Sequence, residues 1–143
     1  MMKYWFSIIS LFIIDRLSKV YMLQKPPLID KVGFIDLHFN PNVAFSWPVV
    51  DFILYPLIII ILVLLVHYWL KDWKDKKISV WPLGLIIIGA VSNLLDRLSY
   101  GGVVDFISVP FFTVFNFSDI YIFIGVVWTF VKLTQGRRGL TKQ

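Results

Sequence analysis

The sequence predicts an all-α membrane bundle with a small β element, and three observations carry that class. Of 143 residues 58% are hydrophobic, and the mean hydropathy of +0.77 is too high for an ordinary soluble domain. Apolar runs of about 18–20 residues recur, the length that crosses a bilayer core. The basic residues sit at the ends of those runs, not in a stripe with exposed aromatics, so the net charge of +5 reads as membrane topology. No nucleic-acid partner is expected.

The first helix is expected over residues 4–22. Lys3 precedes it and no small-residue cleavage site follows its apolar core, so it reads as a retained span and not as a signal peptide. Asp15 and Lys19 are four apart and share a face. Two readings stay open for them: an ion pair whose lysine snorkels to the outer interface, and an inward pair that braces a site.

Residues 23–51 form an outer loop, because Pro26, Pro27, Pro41 and Pro48 oppose a long helix. Within it, residues 32–39 alternate well enough for short strands on the membrane, and the stretch from Asn40 through Asn42 to Trp47 reads locally as a turn with an interfacial anchor. The second helix, residues 52–70, is uncharged, takes Pro56 near its start and ends in His67, Tyr68 and Trp69; His67 reads as an interfacial side chain. A lysine-rich cytoplasmic turn is expected over residues 71–77.

The third helix, residues 78–97, opens on Trp81 and Pro82. Gly89, Asn93, Asp96 and Arg97 stack along one side of its far end, three and four residues apart. A second outer loop, residues 98–117, turns at Gly101 and Gly102 and carries a strand over residues 103–109 with Asp105 in its middle. Pro110 ends the strand, and residues 111–115 are expected to continue extended. Asn116 or Ser118 caps the fourth helix, residues 118–134, which begins near Asp119.

Charge then sets orientation. With the 71–77 turn inside, both termini are cytoplasmic, and that side holds Lys3, Lys71, Lys74, Lys76, Lys77, Lys132, Arg137, Arg138 and Lys142 against Lys25 and Lys31 outside. The chain reads as one polytopic domain, residues 1–143, with Asp15, Asp96, Asp105 and Asp119 all towards the outer face.

Cysteine and glutamate are absent, and neither His38 nor His67 has a second ligand at metal-binding spacing. Disulfides, thiolate chemistry and a catalytic metal are therefore not expected, nor is a cofactor. An ionised Asp at the bilayer centre costs roughly 2.5–3.5 kcal/mol, so the acids of residues 89–125 call for a function. Asp105 and Asp119 are joined by a proline-broken connection that lets them face each other. Two such carboxyls share a proton, one acting as base towards water and the other donating to a carbonyl oxygen, with the helix start favouring Asp119 as the base. Two rivals stay open: a proton or cation path through Asp15, Asp96 and Asp119, and an assembly subunit whose polar face binds a partner helix.

Four blocks in order resemble the lipoprotein signal peptidase (signal peptidase II) family across nearly the whole chain. DRLSK at residues 15–19 is similar to its first-helix block, NPNVAFS at 40–46 to its Asn-Gly-Ala-Phe block, and GAVSNLLDR at 89–97 to its third-helix block. VVDFI at 103–107 and FNFSD at 115–119 match the segments that supply its catalytic aspartates. The resemblance implies an intramembrane aspartyl endopeptidase that removes signal peptides from prolipoproteins, cutting before the diacylglyceryl-modified cysteine. It implies four transmembrane helices with an extracytoplasmic β-cradle, Asp105 and Asp119 as the dyad, Asn40, Asn93, Arg97 and Asn116 lining the site, and Asp15, Lys19 and Asp96 bracing it. The expected partners are the modified signal peptide and membrane lipid, for a monomer in the bacterial inner membrane with its site near the extracytoplasmic face. Asn42 stands where the family usually has Gly, and Asn tolerates positive φ best among other residues. Ser118 replaces the usual Ala and adds a hydroxyl beside the dyad. The chain is short for the family, with the difference placed in the outer loops.

Overall fold

A computed structural model describes residues 2–24, 34–41, 51–74, 80–111 and 113–140. Among these described residues, four helices and three strands follow in the order α1 (Met2–Leu23), β1 (Ile35–Asn40), α2 (Asp51–Lys74), α3 (Val80–Tyr100), β2 (Val103–Val109), β3 (Thr113–Phe115) and α4 (Phe117–Leu140). Three helices contain stretches long and apolar enough to cross a membrane, Phe52–Lys74, Val80–Tyr100 and Phe117–Gln135. Helix α1 is as long, but Asp15, Arg16 and Lys19 interrupt its apolar run.

Those charges point inward. Among the described side chains of α1, Tyr4, Ile8, Asp15, Lys19 and Met22 are buried, spaced so that they fall on one stripe of a 3.6-residue helix, while Phe6, Ile9, Ile13 and Leu17 are exposed. The same stripe is apolar at its start and ionic near its end, and both halves pack against α3. Helix α3 is the centre of the bundle, touching α1, α2, α4 and β2. It approaches α4 closely because both carry glycine at the crossing. A Cβ on Gly89 would lie 2.5 Å from the Ser118 carbonyl oxygen, and one on Gly125 would lie 2.6 Å from that of Pro82, so any side chain there would drive the helices apart.

Helix α2 runs on through Lys74, so residues 71–74, read from the sequence as turn, form its last turn. Lys71 and Lys74 complement the helix dipole there, and the Trp73 ring packs at a tilt against those of Tyr4, Trp5 and Trp69. Residues 75–79 lie outside the described residues.

The strands form one antiparallel sheet in the order β1-β2-β3. Helix α3 stops where Gly101 takes φ +74° and donates its N–H to the Arg97 carbonyl at 2.9 Å, a left-handed helix end that glycine adopts without strain. Strand β2 then pairs with β1 through Asn40↔Val103, Phe39↔Val104 and His38↔Asp105. Thr113–Phe115 is extended, as expected, but the chain does not run straight on from β2: Phe111 takes φ 64°, and β3 folds back on β2 with Thr113 opposite Val109. That return brings Asn116 and the start of α4 beside Asp105.

Candidate active site

The start of α4 builds the first half of the site. Asn116 caps the helix, its Oδ1 accepting from the Asp119 N–H at 3.0 Å, while Asp119 Oδ2 accepts from the Asn116 N–H at 3.2 Å. This reciprocal pair is a capping box, which fixes the rotamers of both side chains. It leaves Asp119 Oδ1 to accept from Asn93 Nδ2 at 2.8 Å.

Strand β2 supplies the second half. Asp105 is 2% exposed; its Oδ1 accepts from Asn116 Nδ2 at 2.7 Å and its Oδ2 from Asn40 Nδ2 at 3.3 Å. Asn116 therefore holds both acids, Asp119 through its main chain and Asp105 through its side chain. Burial, followed by the neighbouring Asp119 charge, pushes the Asp105 carboxyl up to about 6, against the opposing pull of the Asn116 and Asn40 hydrogen bonds and the Lys19 charge. Arg97 is half-buried in the field of both acids. Its carbonyl oxygen accepts from the Tyr55 hydroxyl at 3.4 Å, which ties α2 to the site.

Behind the acids lies a charged layer whose centre is closed to solvent. Asp15, Lys19 and Asp96 are all 0% exposed. The three ammonium protons of Lys19 meet three acceptors: Asp15 Oδ2 at 3.2 Å, Asp96 Oδ2 at 2.7 Å and Asn93 Oδ1 at 2.9 Å. Each of those aspartates also grips the main chain. Asp15 Oδ1 accepts from the N–H of Ser118 at 2.8 Å, and Asp96 Oδ2 from the N–H of Val104 at 3.3 Å. Ser118 precedes Asp119 and Val104 precedes Asp105. A single ammonium thus holds two carboxylates, and each carboxylate pins the residue before one of the two acids.

Lys19 does not snorkel outward; of the two readings open from sequence, the inward orientation is the one found. Arg16 and Ser92, given no role from sequence, complete the layer. Arg16 Nη1 pairs with Asp96 Oδ1 and reaches the Ser92 carbonyl oxygen at 3.2 Å, and the Ser92 hydroxyl donates to Asp15 Oδ2. Ser92 lies three residues after Gly89 and four before Asp96, so the spacing that marked the α3 polar face already included it. Nothing local marked Arg16, whose partners are 76 and 80 residues away. Asn42 and Trp47 lie outside the described residues.

Apolar helices around a buried ionic layer, with a small sheet against one end, define a multi-pass membrane protein. The model of the Signal peptidase (SPase) II family matches residues 7–135, and the chain belongs to that family of bacterial membrane proteases. A lipoprotein signal peptidase of Halalkalibacterium halodurans is 29% identical over 99% of this chain and 98% of its own length. Two solved structures of a bacterial membrane enzyme share the fold. One has a TM-score of 0.79 and 24% identity over 94% of this chain and 89% of its own, the other a TM-score of 0.76 and 25% identity over 93% of each.

Proposed function

We propose that this protein is an intramembrane aspartyl endopeptidase that removes signal peptides from prolipoproteins, with Asp105 and Asp119 as its catalytic pair. The observation that carries the reading is the sharing of Asn116, which hydrogen-bonds one acid through its side chain and the other through its main chain. The charge balance agrees. Asp15, Asp96, Asp105 and Asp119 face Lys19, Arg16 and Arg97, so one proton on the pair makes the cluster neutral, the economical state for buried groups.

We assign the proton to Asp105, whose carboxyl is pushed up to about 6 by burial and by the neighbouring Asp119 charge. Asp119 takes the base role, since its two oxygens accept from Asn93 and from a main-chain N–H at the positive end of α4. In the reaction Asp119 removes a proton from water as the water attacks the scissile carbonyl, and Asp105 donates its proton to the carbonyl oxygen. Asp119 then gives that proton to the leaving amine as the C–N bond breaks, and Asp105 takes its proton back from the hydroxyl as the new carbonyl forms. Asn40, Asn93, Arg97 and Asn116 line the site, and Asp15, Lys19 and Asp96 brace it.

The substrate follows from kinship with lipoprotein signal peptidases: a prolipoprotein cut before its diacylglyceryl-modified cysteine. We place α1 as the fourth transmembrane helix of a single 1–143 domain, its inward-facing charges being matched within the bundle. Both termini are then cytoplasmic, the sheet is a cradle at the extracytoplasmic face, and the enzyme is an inner-membrane monomer surrounded by lipid. The test is cleavage of a diacylglyceryl-modified substrate by Asp105→Asn and Asp119→Asn. Each abolishes turnover while the purified protein still unfolds in a cooperative thermal transition in detergent; wild-type turnover by either variant would sink the assignment.

A further inference from the structure

His38 has no place in the chemistry above, yet the sheet register sets it beside the catalytic pair. In an antiparallel ladder, residues directly opposite each other project to the same face with Cβ atoms about 4.5–5.5 Å apart, and His38 is opposite Asp105. Asn40 confirms which face that is. It lies two residues further along β1, on the same side of the strand, and its Nδ2 bonds Asp105 Oδ2. The irregularity in β1 falls between Ile35 and His38 and leaves this relation intact. Asp105 is buried and bonded by Asn116 and Asn40, whereas His38 is exposed, and no described residue bonds its imidazole.

We propose that His38 is a substrate-contacting residue that hydrogen-bonds the main chain of the peptide lying across the pair. This inference rests on the peptidase reading. A scissile carbonyl that comes within hydrogen-bond reach of Asp105 lies within one side-chain length of the residue opposite on the next strand. An extended peptide repeats its main-chain groups about every 7 Å, the same spacing that separates His38 from Asn40 along β1. Imidazole both donates and accepts, so it pairs with a peptide C=O or N–H whatever side chains flank the cleavage site. Recognition of that kind suits an enzyme that cuts many sequences at one lipid-marked position.

The test compares cleavage of a diacylglyceryl-modified peptide by the full-length enzyme and three variants. His38→Ala lowers kcat/KM by about tenfold, chiefly by raising KM, with the thermal transition unchanged. His38→Gln, which keeps a donor and an acceptor, recovers most of the loss. Phe39→Ala, on the opposite face, stays within twofold. A photo-crosslinker placed at position 38 of the Asp105→Asn protein captures the uncut substrate, and one at position 39 does not. If His38→Ala cleaves within twofold of the parent, or Gln does no better than Ala, or position 38 crosslinks no more than 39, the role of His38 is overturned while the peptidase reading stands. A parent enzyme that leaves the substrate uncut overturns both.

Discussion

The two ends of the α1–α3 contact solve the same packing problem with opposite chemistry. At one end Tyr4 lies with its ring centroid 4.5 Å from that of Trp81 and 5.2 Å from that of Trp73, and Trp5, Trp69 and Trp73 stand 5.3–5.5 Å from one another. The Tyr4 hydroxyl donates to the Val80 carbonyl oxygen at 3.0 Å and accepts from Trp69 Nε1 at 3.0 Å. At the other end Asp15, Arg16 and Lys19 engage Ser92, Asn93 and Asp96 through ion pairs and hydrogen bonds. Dispersion forces are many, small and non-directional, so the aromatic end can lose one group and relax. The ionic end cannot, because a charge left without its partner is stranded where no water reaches it.

The largest expected effects test that contrast directly. Lys19→Ala removes one cation from between two buried carboxylates and is expected to cost about 3–5 kcal/mol of stability, the usual penalty for breaking a buried ion pair. It loosens the main-chain pins on Val104 and Ser118 together. Tyr4→Phe removes one hydroxyl and is expected to cost only about 1 kcal/mol, because Trp69 Nε1 also lies 3.2 Å from the Val80 carbonyl oxygen and still satisfies it. Thermal unfolding in detergent ranks the two. Equal losses would mean that the ionic layer is no more cooperative than the aromatic one.

Beside the ionic end, Asp105 on β2 has an expected pH response that Asp105→Asn removes. Its folded-state value near 6 lies above the ordinary 3.8, so the folded protein binds this proton more tightly than the unfolded chain. The stability it contributes is complete below about pH 4 and is lost as pH rises towards about 6, above which the loss is constant. Asp105→Asn cannot ionise. Its melting temperature relative to wild type should climb between pH 4 and pH 6 and then level off, and a difference that stays flat would show that Asp105 is not titrating there. On the same basis, kcat/KM of the wild type falls as pH rises through about 6, where the proton needed by the scissile carbonyl is lost.

The two ends also differed in how far the sequence revealed them. The helical architecture with a small sheet followed from hydropathy and turn residues, and the acids and amides of the site stood out because polar groups are costly in apolar runs. Spacing within one helix put Asp15 with Lys19, and Asn93 with Asp96 and Arg97. The joining of those two groups was not legible, because it depends on α1 crossing α3 in one register, and Arg16 and Ser92 acquire meaning only once that crossing exists. The aromatic end was hidden for the same reason. Trp69 and Trp81 read separately as the end of one helix and the start of the next, and Tyr4 gave no sign of meeting them. The hairpin at Pro110 and Phe111 was missed because an extended chain and a tight return share the same strand-forming residues, and the outcome rests on Phe111 taking the left-handed conformation.

The smallest expected effect separates what a residue contributes through its side chain from what it contributes through its backbone. Ser118 sits where the ionic layer meets α4, and its N–H bonds Asp15 Oδ1. Its hydroxyl, by contrast, is fully buried and has no hydrogen-bond partner among the described residues. A buried hydroxyl without a partner carries a desolvation penalty that a methyl group does not. Ser118→Ala keeps the N–H and the small volume that Gly89 opposes across the crossing, so it should raise stability by up to about 1 kcal/mol and leave cleavage within twofold. A fall in melting temperature would show that the hydroxyl is bonded after all. A change in cleavage with no change in melting would place Ser118 in the site itself and break the separation drawn between the acids and the layer that holds them.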